Sequence, residues 1–229
     1  MSAEIEPFPT ARLGDHARAG IQAAVAALPF GGAVNELANA VISPALERRR
    51  ERWHQKLAEV VEEIKSKVDD FEQLADNELF VTAVLEASRI AAMTHLDEKL
   101  DLLKNVLVRL AVDTDNDDFL ALQMLRFVDA LTPEHFLVLR YCSDPEGWFD
   151  ARGINRPNLY MGSPNSIMND AQLPVVGASR EIVLRDLSDY GLANTESLRT
   201  TMTETGMWGS LATDLGNALL AFVSETDRD

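Results

Sequence analysis

The sequence predicts a mainly α protein of two parts. An antiparallel helical bundle over residues 16–130 is followed, over residues 131–229, by an α-rich domain with a small β element. Two observations carry this. The first is an unbroken apolar stripe at helical spacing from Leu46 to Phe71, followed by three more helix-length apolar segments joined by short polar links. The second is the change after Ala130, where helical segments alternate with stretches rich in Gly, Pro, Ser and Thr. Hydrophobic residues make up 46% of the 229-residue chain, enough for a sizeable core.

Residues 1–15, with Pro7, Pro9 and Gly14, read as an irregular arm. A helix is expected from His16 to Leu28, ended by Pro29-Phe30-Gly31-Gly32, and a shorter one from Ala33 to Ile42. Ser43-Pro44 then offers a cap followed by proline at the first helical position. The helix after it has the plainest pattern in the chain. Leu46, Trp53, Leu57, Val60, Ile64, Val68 and Phe71 share one face, and charged residues fill the other. Glu63 and Lys67 fall four apart there, a favourable pair. Further helices are expected at Asn77 to Met93, Asp97 to Val112 and Asp117 to Ala130. Short connections make neighbours antiparallel.

In the second half, Leu131-Thr132-Pro133 reads as a helix start with Thr132 as cap. Residues 144–178 hold four glycines and four prolines. Trp148, Phe149, Leu159, Tyr160, Ile167 and Met168 imply that this segment packs down. Ser179 to Tyr190 is an expected helix with Ile182, Val183 and Leu187 inward, stopped by Gly191. Residues 192–212 have the composition of a weak β-hairpin, and Thr213 to Val223 of a closing helix.

These pieces resemble a winged-helix domain: a Leu-Thr-Pro helix start, a second helix ending at Gly191-Leu192, a hairpin, and a closing helix opened by Thr213 through Gly216. The resemblance covers about 95 residues, with residues 144–178 as a long insertion where such folds have a short helix and turns. It implies a DNA-reading or protein-docking module. The helix Arg180 to Tyr190 sets Arg180 and Arg185 against Glu181, Asp186 and Asp189, a poor match to phosphate. Residues 28–224 also resemble a group of uncharacterised bacterial helical proteins. The matching pieces are Pro29 to Ala33, the charged helix Glu47 to Phe71, the two helices after it, and Asp214-Leu215-Gly216. That resemblance implies a bacterial, cytoplasmic protein and no particular chemistry.

Charge narrows the function classes. The net charge is −16, with 14 basic and 23 acidic side chains over residues 1–130 and 7 and 14 over residues 131–229. Both halves repel nucleic acid at long range. Cys142 is the single cysteine, so no internal disulfide forms, as suits a reducing cytoplasm. Residues 1–9 lack a basic n-region, and no stretch has the length and apolarity of a membrane span.

The chemistry-bearing patterns are thin. Asp113 to Asp118 imitates the start of a calcium loop, yet Asp118 and Met124 stand where glycine and glutamate are required. The run reads better as a cap for the helix that follows. His16, His54, His95 and His135 have no zinc spacing, and no phosphate-binding glycine loop occurs. No metal, no cofactor and no catalytic residue is expected. In residues 19–46, Glu36 is the lone charged side chain, and Arg48, Arg49, Arg50 and Arg52 follow. Such a segment suits a core, a dimer interface or insertion into an anionic membrane.

The expected function is therefore a noncatalytic protein-interaction or adaptor role, with a protein partner or self-association. Its expected surface comprises Phe30, Val34, Leu37, Val41, Trp148, Phe149 and Tyr160. The alternatives are a membrane-active helical effector, of the kind used in phage defence or bacterial conflict, and a winged-helix transcription regulator.

Overall fold

A computed structural model describes residues 42–113 and 117–225. The expected arm, the helices before Ile42, and the surface positions Phe30, Val34, Leu37 and Val41 lie outside the described residues, as do Thr114, Asp115 and Asn116. The chain divides into two compact units, Met1–Arg52 and Trp53–Asp229. Of the first, residues 42–52 are described, and from Ser43 onward they are helical.

The described residues are mainly helical, with ten α-helices and one two-stranded sheet. Helix α1 spans Ser43–Lys67 and buries Trp53, Val60 and Ile64, three members of the expected stripe. Val68 and Phe71 fall beyond its end and pack on the core half-buried. A 3-10 turn, Glu72–Asp76, leads to α2, Glu78–Met93, whose Asn77 cap accepts a hydrogen bond from the Phe80 amide at 3.0 Å.

Helix α3, Asp97–Val112, is the centre of the second unit. Leu100, Leu103, Leu107 and Leu110 recur at heptad-like spacing and are buried, and Leu102, Val106, Val108 and Ala111 are buried as well. A helix apolar on nearly every side needs neighbours on nearly every side. It has them in α2, in α4, Asp118–Ala130, and in α10, Asp214–Val223. Asp117 caps α4 by accepting from the Leu120 amide at 3.0 Å, the role read for this acidic run.

Helix α5, Pro133–Ser143, follows directly, and the core runs unbroken across the junction, with Val128 and Leu131 both buried. Asn105 of α3 donates from Nδ2 to the Val223 carbonyl of α10 at 2.9 Å. The expected boundary at 130/131 therefore falls inside one compact unit.

Residues 144–178 are largely built into two short helices. Helix α6, Pro145–Arg152, is capped by Asp144, and α7 covers Pro164–Asp170. Trp148 and Phe149 are at 5% and 0% exposure, so they are core residues and not the surface expected of them. The cause is pairing: Trp148 Nε1 donates to the Ala171 carbonyl at 2.9 Å and meets the Tyr141 ring edge-on, while Phe149 meets Trp208 edge-on.

Helix α8, Gly177–Asp189, buries Val183, Leu184 and Leu187. Ile182, expected inward, is 48% exposed, because Leu184 takes the core-facing position instead. Gly191, at φ 69°, turns the chain out of this helix. The hairpin expected within residues 192–212 is reduced to one antiparallel bridge, Ala193 to Ala212. Strand β2, Met202–Thr203, pairs with β1, Met161–Gly162, in the register Met161 to Thr203 and Gly162 to Met202. A 3-10 turn, Glu196–Arg199, and a short α9, Glu204–Met207, occupy the rest of that segment. Burying Leu198, Met207 and Leu211 determines where it packs, which its Thr- and Ser-rich composition conceals.

Candidate functional site

Tyr160 alone keeps the exposed role expected of the described surface positions, at 83%. Met161, beside it, is 69% exposed. Val176, ahead of α8, and Ile182, on α8, are also exposed. Arg180 at the start of α8 donates to Asn169 Oδ1 of α7 at 2.8 Å, and Arg199 approaches Glu181 of α8. The exposed face of α8 thus presents Glu181, Ile182, Arg185 and Asp189, a mixture with an apolar residue among its charges.

Residues 51 apart in sequence bring a hydroxyl, an imidazole and a carboxylate together. His135 of α5 lies buried with Nε2 3.3 Å from Asp186 Oδ2 of α8 and Nδ1 3.0 Å from Thr132 Oγ1. The order resembles a nucleophile–base–acid relay. The remaining bonds argue for another use. The Thr132 amide donates to His135 Nδ1 at 3.2 Å, so the ring proton must sit on Nε2, facing Asp186. The Thr132 hydroxyl donates to Glu134, and this bond holds the Glu134 carboxyl below its usual range. His135 sits third in its helix and reaches back to the residue before it, a capping box made with imidazole instead of Glu or Gln. The Thr132-x-x-His135 spacing was the available sequence signal. The contact with Asp186 had none.

Other polar clusters are similarly occupied. Lys56 bridges Glu59 and Asp101, and Lys104 bridges Glu63, which pairs with Lys67 at 2.8 Å. Lys99 is buried and donates to the Asp129 carbonyl at 2.6 Å; desolvation pushes its pKa down. Arg156 binds Glu146 and Asp150 and lies over the Trp208 ring. Burial raises the Cys142 thiol to about 12. Among the described residues no group of three His, Cys, Asp or Glu is arranged to hold a metal ion.

One cleft is open. It lies between α3, α5 and the end of α10 and encloses about 480 Å³. Leu102, Phe136 and Leu137 supply its apolar lining, and Glu98, Asp101, Arg140 and Glu225 its charges. No protein-family model, curated protein or solved structure matches the chain. The site must therefore be judged by its own chemistry.

The cleft combines an apolar lining with three carboxylates and one guanidinium. Glu98, Arg140 and Glu225 lie on three separate stretches of sequence, so no local pattern groups them. Only the packing of α10 against α3 and α5 brings them together. Among the described residues, no helix is long and apolar enough to cross a membrane.

Proposed function

We propose that this protein is a noncatalytic interaction module that meets other polypeptide, including further copies of itself, through a winged-helix-like second half. The observation that carries the reading is the neighbouring pair Tyr160 and Met161, large apolar side chains at 83% and 69% exposure. Single exposed hydrophobics are ordinary, whereas a contiguous exposed apolar patch marks a contact surface. Tyr and Met are also side chains enriched at interfaces.

Three features support the winged-helix likeness: the packing of α5 on α8 and α10, the Gly191 stop, and the bridge between Ala193 and Ala212. The exposed face of α8 favours polypeptide over DNA. Glu181 and Asp189 would face phosphate unfavourably, and Ile182 offers nothing to it. The membrane-active alternative rests on residues 19–46, outside the described region but for its last five.

Sedimentation velocity across a wide concentration range tests the proposal. Wild type should show a species heavier than the 25.3 kDa chain, and Tyr160→Ser/Met161→Ser should shift it to the monomer. A wild type that stays monomeric throughout, or a heavier species that the double variant leaves unchanged, removes this surface from the account.

A further inference from the structure

We propose that the cleft between α3, α5 and α10 is a docking groove for a cationic, amphipathic segment of a partner protein. The inference rests on the interaction reading above but uses a different surface. The chemistry of the cleft is specific. Leu102 and Phe136 are buried at its floor and Leu137 is half-buried beside them. An apolar side chain seated there is removed from water on several sides.

The rim carries three carboxylates, Glu98, Asp101 and Glu225, against one cation, Arg140. Along the neighbouring α1 and α3 surface, carboxylates have their cations: Asp101 has Lys56, and Glu63 has Lys67 and Lys104. Glu98 and Glu225 have no ion pair among the described residues, although Arg140 lines the same cleft. The last carbonyls of α10 are occupied locally, Val223 by the Asn105 side chain and Leu220 by the Ser224 hydroxyl, so the carboxylates carry the charge of the rim. A lysine or arginine flanking an apolar anchor answers both features. The chain's net charge of −16 draws such a segment in at long range. Charge complementarity thus selects a basic segment over an acidic or neutral one, and the apolar floor selects an amphipathic one over a purely charged one.

The probe is a capped ten-residue leucine–lysine peptide, titrated into the ¹⁵N-labelled full chain at physiological ionic strength. The Asn105 side-chain amide, fixed at the cleft by the Val223 carbonyl, is the reporter. Saturable shifts are expected there and at Leu137. Glu98→Gln/Glu225→Gln should weaken binding about fivefold, and Arg140→Gln should tighten it about twofold. Glu62→Gln/Glu196→Gln removes the same charge elsewhere and should leave binding unchanged.

Replacing the leucines of the peptide by serine should weaken it at least about tenfold. Equal losses in both double variants, equal binding of the serine peptide, or shifts that avoid Asn105 and Leu137 overturn the proposal. Titrating Tyr160→Ser/Met161→Ser alongside separates the two readings. Its self-association is judged independently, and its cleft should still bind the peptide.

Discussion

Gly216 of α10 lies directly against the carbonyl oxygen of Leu192, so close that a β-carbon at residue 216 would overlap that oxygen and crowd Leu139 Cδ1 at 3.2 Å. The same carbonyl accepts from the Thr213 amide at 3.0 Å, and the Thr213 hydroxyl accepts from the Gly216 amide at 3.1 Å. A cap, a glycine and the exit from α8 thus form one joint. Gly216→Ala should cost about 3 kcal/mol, because the obstacle is backbone that cannot rotate away. Thermal unfolding should show a melting temperature lower by roughly 6–12 °C. An unchanged midpoint would mean that α10 does not approach Leu192 this closely.

The capping role of His135 separates from an acid–base role by substitution. Gln at the third helical position can still reach back to the Thr132 amide. His135→Gln should therefore lose less stability than His135→Ala, which should lose on the order of 1–2 kcal/mol with the cap and the Asp186 contact both gone. Chemical denaturation of the two variants checks this. Equal losses would place the importance of His135 outside the cap.

Cys142 should be inert in the folded protein. It is fully buried and its thiol is raised to about 12, leaving roughly one thiolate in ten thousand at pH 8 even where reagent penetrates. Iodoacetamide should label it only after denaturant is added. Rapid native labelling, followed by mass spectrometry, would contradict the packing of α5 against residues 210–212, whose Leu211 amide donates to the Cys142 carbonyl at 2.7 Å.

The link between α1 and α3 should show in acid. Desolvation pushes the Glu63 carboxyl up, but hydrogen bonds from Lys67 and Lys104 outweigh it and leave it below the usual value. A depressed folded value means the stabilisation is fully present above the unfolded pKa of about 4.3 and is lost as pH falls through the folded value. Glu63→Gln should cost on the order of 0.5 kcal/mol at pH 7. Its unfolding free energy should also fall less steeply than that of wild type as pH drops below about 4.3. Parallel curves would show that the pair contributes nothing measurable.

Reading the sequence worked where local patterns carry the physics. The helix at Asp97–Val112 has the expected ends, Asp117 caps its helix, and Glu63 meets Lys67. Each of these depends on residues within one or two turns of one another. The same reasoning misplaced Trp148, Phe149 and Ile182. An aromatic in a Gly- and Pro-rich stretch, or an isoleucine beside valine and leucine, has no local signal that tells core from surface. For Trp148 the decision belongs to Ala171 and Tyr141.

Residues 192–212 show the limit more sharply. Thr and Ser favour extended backbone, so composition pointed to a local hairpin. Met202 instead pairs with Gly162, forty residues back, because burying Met207 and Leu198 holds that segment against α7 and β1.

The amino-acid order alone settled where the chain coils, where the coils stop, and how strongly negative the molecule is, since propensity, caps and charge act over a few residues. Long-range packing alone decided that α3 is the central helix, that His135 meets Asp186, and that Glu98, Arg140 and Glu225 line one cleft. Those juxtapositions arise when apolar faces from distant stretches are excluded from water together, and no short window of sequence records which faces will meet.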